Sequence, residues 1–111
     1  MTPFLNRKLV LEEAQRSPDG GGGHRLDWVR LGDLWAQVTA GTGNERSGEA
    51  VTLASVPYRI VVRAAPVTSP RRPRPDQRFR EGARVFRILS VADADPSQRY
   101  LVCFAREEVV A

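Results

Sequence analysis

The stretch Tyr58-Arg59-Ile60-Val61-Val62-Arg63-Ala64 decides the class of this chain. Tyr58, Ile60 and Val62 fall on one side of a two-residue repeat, and Arg59, Val61 and Arg63 fall on the other. That is the alternation of a half-buried β-strand, and β-branched residues dominate it. Pro57 has no N–H to give a central ladder, so it belongs at the strand's start or on an edge.

Toward the C-terminus, residues 66–80 place Pro66, Pro70, Pro73 and Pro75 among Arg71, Arg72, Arg74, Arg78 and Arg80, which predicts an extended, solvated insertion. Glu81-Gly82 is a turn signal. Residues 83–91 then carry Val85, Phe86, Ile88, Leu89 and Val91 on both faces, which predicts a strand buried on both sides. A second turn, 93–97 with Pro96, separates it from a return strand at 100–105.

Toward the N-terminus, residues 34–39 alternate Leu34, Ala36 and Val38 against Trp35, Gln37 and Thr39. A break at Gly32-Asp33 separates them from a run that begins near Leu26 and carries Trp28. Residues 8–14 form the first strand, and a flexible loop at 17–25 follows, because Gly20 to Gly23 are consecutive glycines with no side chain to pack. Residues 39–55 form the longest connection, too long for a simple link and therefore the stretch with most functional weight.

These runs predict an all-β fold, a small β-barrel or sandwich with long inserted loops, in one domain over residues 1–111. Leu9, Leu11, Leu34, Val38, Ile60, Val62, Phe86, Ile88, Val102 and Phe104 are the expected packing residues. One of Trp28 and Trp35 is expected to anchor the core, and Trp35, which alternates away from the apolar face, to sit at a subunit contact.

The search for catalytic groups returns little. His24 is the only histidine and follows the glycine run, where it is expected to be exposed. Cys103 is the only cysteine and sits in an apolar run, as a buried thiol would. Neither a zinc site nor a Cys/His pair can be built from one of each. Glu12/Glu13, Asp93/Asp95 and Glu107/Glu108 read as solvated turns and strand ends, and Asp93-Ala94-Asp95 lacks the glycine and distal glutamate of a calcium loop. No catalytic residue, metal or cofactor is expected.

The formal net charge is +4, and lysine occurs once, at Lys8. An arginine-rich balance favours polyanions and interface ion pairs. Arg71, Arg72 and Arg74, with Arg46, are the candidates for contact with DNA phosphates. No aromatic lies between Arg71 and Arg78, which argues against a base-stacking platform. No stretch approaches the roughly 18 apolar residues of a membrane span, and the first eleven lack a signal peptide's apolar core. The expectation is a soluble, cytoplasmically made protein without a membrane partner.

In order, the pieces LNRKLVLEEAQR (5–16), WVRLGDLWAQVTAGTGNE (28–45), VPYRIVVR (56–63), REGARVFRILSVADAD (80–95) and RYLVCFAREEVV (99–110) resemble the head-tail joining (head-closure, or stopper) proteins of tailed phages and phage-like particles. The most specific pieces are Trp35-Ala36 followed by a loop with Gly43 and Glu45, the strand ending in Arg63, and Gly82-x-Arg84-Val85-Phe86-x-Ile88 before an Asp turn. The resemblance implies a small barrel subunit in a homo-oligomeric neck ring, six-fold in preference to twelve-fold. An adaptor or portal ring would lie above it, a tail terminator or tail tube below, and double-stranded DNA in its channel. It further implies that Thr39, Gly41, Gly43, Asn44, Glu45, Arg46, Ser47, Gly48 and Glu49 belong to a channel loop. Trp35, Arg59, Arg63, Arg71, Arg72 and Arg74 are the candidate subunit or neck contacts.

The arginine-proline insertion before Phe79 and the glycine run depart from the family's usual pattern. Arginine in place of lysine suits a prophage or gene transfer agent of a GC-rich bacterium. The alternatives are a monomeric, sequence-nonspecific nucleic-acid-binding barrel and another neck ring such as a tail terminator.

Overall fold

A computed structural model describes residues 2–41 and 55–108. The deciding stretch lies in a strand, Ser55–Arg63, with a neighbour on each side. In chain order the strands are β1 (Arg7–Pro18), β2 (His24–Ala40), β3 (Ser55–Arg63), β4 (Arg78–Glu81), β5 (Arg84–Asp93) and β6 (Tyr100–Glu108). They pair as two antiparallel meanders, β1-β2-β3 and β4-β5-β6, joined by β3 against β6 and by β4 against β1. The result is a closed all-β barrel with no helix among the described residues. Closure through β4 is brief, with only Val10↔Arg80, Leu11↔Phe79 and Glu12↔Arg78 in register.

Every strand contributes to the core: Leu9, Leu11, Ala36, Ile60, Val62, Phe79, Phe86, Ile88, Leu101, Cys103 and Ala105 are at most 2% exposed. Tyr58 meets Phe86 edge-on at 5.2 Å. Pro57 lies near the start of β3, as its missing N–H requires, and its carbonyl accepts from the Gly41 amide at 2.8 Å.

The structure corrects several expectations. On β6 the inward residues are Leu101, Cys103 and Ala105, whereas Phe104 is 40% exposed and Val102 is buried from the outside. A shift of one residue exchanges the faces of a strand, and an apolar run such as LVCF does not say which residue is the inward one. On β5, a bulge between Ile88 and Ser90 leaves Leu89 unpaired and 51% exposed, so the apolar residues there do not all lie in packed faces. The expected break at Gly32-Asp33 lies inside one continuous 17-residue strand, in which Gly32 and Asp33 keep their pairing and the bulge falls at the adjacent Leu31.

The stretch 66–80 is solvated only in part. Pro73 is fully buried, Gln77 is 5% exposed, Phe79 is in the core, and Arg78 and Arg80 belong to β4. Because β3 and β4 are not neighbours in the closed order, the link between them must pass over one end of the barrel. Strand pairing also runs into the expected glycine loop, as far as Pro18↔His24. The Asp19 carboxylate accepts from the Gly21 and Gly23 amides at 2.9 and 3.1 Å, which holds it below its usual pKa.

Candidate interaction surfaces

Paired residues of an antiparallel sheet share a face, so the register places side chains on the outside of β2, β3 and β6. Arg63 is paired with Tyr100, Val61 with Gln37 and Val102, and Arg59 with Thr39 and Phe104. Val61 and Val102 are 3% and 5% exposed, an apolar centre between two arginine-aromatic pairs. The Arg59 guanidinium lies 5.9 Å from the Phe104 ring, and that of Arg63 lies 6.0 Å from the Tyr100 ring. Trp35, 55% exposed, stands at the Arg63 end of this face. Aromatic and arginine side chains around a dry centre are the composition of protein interfaces.

Trp35 and Arg63 also line a cleft of about 310 Å³ with Leu5, Asp33 and Arg71. Arg71 donates to the Asp33 carbonyl at 2.6 Å, which brings the insertion to the edge of the same face. Arg72 and Arg74 lie elsewhere on the loop and donate to the carbonyls of Ala65 and Val67 at 2.9 and 2.6 Å. At the other end, Thr39 and Gly41 border a groove with Arg59, Leu89, Phe104 and Arg106. The remaining candidates for the channel loop, Gly43, Asn44, Glu45, Arg46, Ser47, Gly48 and Glu49, lie outside the described residues.

The acidic pairs read from sequence have other uses. Glu12 is 5% exposed and accepts from Arg78 Nε at 2.7 Å and Arg80 Nε at 2.8 Å, so it is no solvated strand residue. Burial pushes its carboxyl up, but the bonds from Arg80 and Arg78 outweigh that and hold it below the usual range. Glu107 accepts two bonds from Arg84, which lower its pKa, and Glu81 is lowered in the same way by Arg7. Asp95 caps its turn by accepting from the amides of Arg99 and Tyr100 at 3.0 and 3.2 Å. Cys103 is buried, and burial pushes its thiol up to about 12. Among the described residues, no three His, Cys, Asp or Glu side chains are placed to hold a metal ion.

Sequence reasoning missed one cluster. Trp28 is half-buried, and two guanidiniums approach its ring, Arg78 at 4.1 Å and Arg87 at 5.5 Å. Neither tryptophan is part of the buried core, contrary to expectation. No local signal marked it, because the stack depends on strands about fifty residues apart in sequence.

Comparison with known proteins decides the family. The family model described as "Phage head completion protein" matches residues 2–108. The chain belongs to the phage head completion protein family. A solved chain from the "Virion of native gene transfer agent (GTA) particle" is 71% identical, with a TM-score of 0.81, over 99% of this chain and 100% of that one. Protein SF1141 from Shigella flexneri 2a shares the fold, with a TM-score of 0.64 at 22% identity over 93% of this chain and 92% of that one. No curated protein matches the chain. The resemblance read from the strand order therefore holds at the level of the family, with a gene transfer agent particle among its relatives.

Proposed function

We propose that this protein is a structural neck component of a phage-like particle, forming a ring between the portal or adaptor and the tail. There it closes the DNA channel after packaging and supplies the platform for tail attachment. The observation that carries this reading is the near-complete match to the head completion family together with 71% identity to a chain of a gene transfer agent virion. The outer β2-β3-β6 face supports it, because a closed ring of identical barrels needs exposed, dehydratable contact surfaces. A structural role also fits the arginine-carboxylate pairs, which fasten strand to strand instead of lining a cleft with free acids.

In this reading residues 39–55 supply the plug. Particles whose only copy lacks residues 41–48 should keep the ring and tail but lose packaged DNA, measured as nuclease-protected DNA per particle. Full protection in such particles counts against the plug. Absence of the wild-type protein from the neck, by labelled electron microscopy, removes the functional reading itself. The nucleic-acid-binding alternative gains little from the geometry, since Arg71, Arg72 and Arg74 each already donate to a backbone carbonyl.

A further inference from the structure

In the β5-β6 ladder Ile88 pairs with Ala105 and Ser90 with Phe104, and the extra residue between them is Leu89. A bulge of this kind re-aims a side chain that regular pairing would place elsewhere. Here Leu89, 51% exposed, and Phe104, 40% exposed, line one groove on the outside of the barrel. Arg59 and Arg106 line it too. The register sets Arg59 opposite Phe104, and Arg106 lies two residues further along β6 on the same face. The groove encloses about 320 Å³, room for a short segment and not for the face of a folded domain.

Among the described residues, no aspartate or glutamate lines this groove. A segment that covers Leu89 and Phe104 also takes Arg59 and Arg106 out of water, because the four side chains share one lining. A guanidinium dehydrated without a countercharge is strongly unfavourable. A wholly apolar occupant therefore gains at the leucine and phenylalanine and loses at the arginines. Duplex DNA has the opposite fault, since its phosphates suit the arginines and leave the apolar pair uncovered. An occupant that satisfies both brings an apolar side chain and carboxylates together. In an extended chain, residues two apart face the same way about 7 Å from each other. Arg59 and Arg106, one strand apart and two residues along, have Cα atoms about 8 Å apart. A second copy offers no such segment: among the described residues only Trp35, of the exposed large apolar residues, has a carboxylate two positions away. That carboxylate, Asp33, is tied to Arg30 and Lys8.

We infer that this groove binds an extended acidic segment of a different protein of the particle. One bulky apolar side chain lies against Leu89 and Phe104, and carboxylates two residues from it meet Arg59 and Arg106. A guanidinium fork takes a carboxylate through two hydrogen bonds, and Arg59, already against the Phe104 ring, loses little further freedom in doing so. The inference rests on the reading of this chain as a neck component and gives that component's partner a chemistry.

The test puts p-benzoylphenylalanine in place of Leu89 in cells where that variant is the only copy. Purified particles are irradiated, and the crosslinked peptide is sequenced by mass spectrometry. The expected adduct joins residue 89 to another virion protein, at an apolar residue with an aspartate or glutamate two positions away. Adding Arg59→Glu and Arg106→Glu, both outside the buried core, should leave folding intact by circular dichroism and urea melts. It should lower the adduct per particle about tenfold or more, and changing the partner's carboxylates to lysine should restore it. An adduct with DNA, with a second copy or with residues 42–54 of the same chain overturns the inference. So does the absence of any adduct in particles that contain the protein, a yield unmoved by the arginine reversals, or a loss that the partner's lysines do not restore. The functional reading falls separately, if the wild-type chain is missing from the neck.

Discussion

Replacing Glu12 with glutamine tests how the barrel is closed. Only three residue pairs join β4 to β1, and the Glu12 carboxylate bridges two of the β4 arginines across that seam. Glutamine keeps the shape but leaves one acceptor oxygen, and it turns an amide donor toward a guanidinium. One charge-assisted hydrogen bond is lost and the other weakened. At about 1.5–3 kcal/mol for a bond to a charged group, the Arg78 side counts nearly in full. The Arg80 side is discounted, because its side chain is 39% exposed against 19% for Arg78. The expected loss is about 2 kcal/mol at pH 7, or roughly 8 °C in Tm for a chain of this size. Urea denaturation followed by circular dichroism should show a lower midpoint at unchanged m, since the same surface is exposed on unfolding. The sign with pH is fixed. The folded pKa of Glu12 lies below the unfolded value of about 4.3, so its contribution is complete above that value and is lost as pH falls through the folded pKa. Wild type and variant should therefore converge below about pH 4. A difference at pH 7 of less than about 0.3 kcal/mol, or one that grows in acid, would refute the seam argument.

Three other outcomes check the fold. Leu101→Ala should cost about 2–4 kcal/mol and Phe104→Ser less than about 1, because the first is inside the barrel and the second outside; the reverse order in urea melts would mean that β6 is off by one residue. Cys103 should resist a thiol-specific reagent at pH 8 in the folded protein and react only on unfolding, at a rate set by opening of the barrel. Gly20→Ala and Gly22→Ala should each lower stability by about 1 kcal/mol despite open space at both positions, because φ is +88° and +89° there. Gly21→Ala, with no such φ, should be near neutral in the same melts.

What the sequence made legible depends on whether a signal was local. The alternation in 58–64 and 34–39 specified both strand and face, and Pro57 marked its own place, because each reports on its own backbone. Register in a continuous apolar run is not local. In β6 the choice between Leu101 and Val102 is settled by pairing with Val62 and Val61, and in β5 the bulge at Leu89 shifts Val91 inward with no proline or glycine to announce it. Arginines mislead for a similar reason. Arg78 and Arg80 look like solvated charge until Glu12, more than sixty residues earlier, is set opposite them by the barrel's closure. The outward side chains were more legible: Trp35, Arg59 and Arg63 lie on the polar side of clean alternations, and the structure brings them to one face.

The placement of charge separates two kinds of arginine in this chain. Arg7, Arg78, Arg80 and Arg84 are tied to Glu81, Glu12 and Glu107, where they join β1, β4, β5 and β6 and make one short strand sufficient to close a barrel. Arg59 and Arg63 stand on the outside with only aromatic rings beneath them among the described residues. A guanidinium stacked on a ring is held in place but keeps its hydrogen-bonding fork, so it can meet a carboxylate at little further loss of side-chain freedom. The first set would be sensitive to acid and to unfolding, the second to salt and to the presence of a partner. On the proposed ring assembly, raising ionic strength should weaken assembly before it weakens the barrel, and salt sensitivity of assembly that vanishes with Arg59 and Arg63 replaced by methionine would trace that weakening to this face.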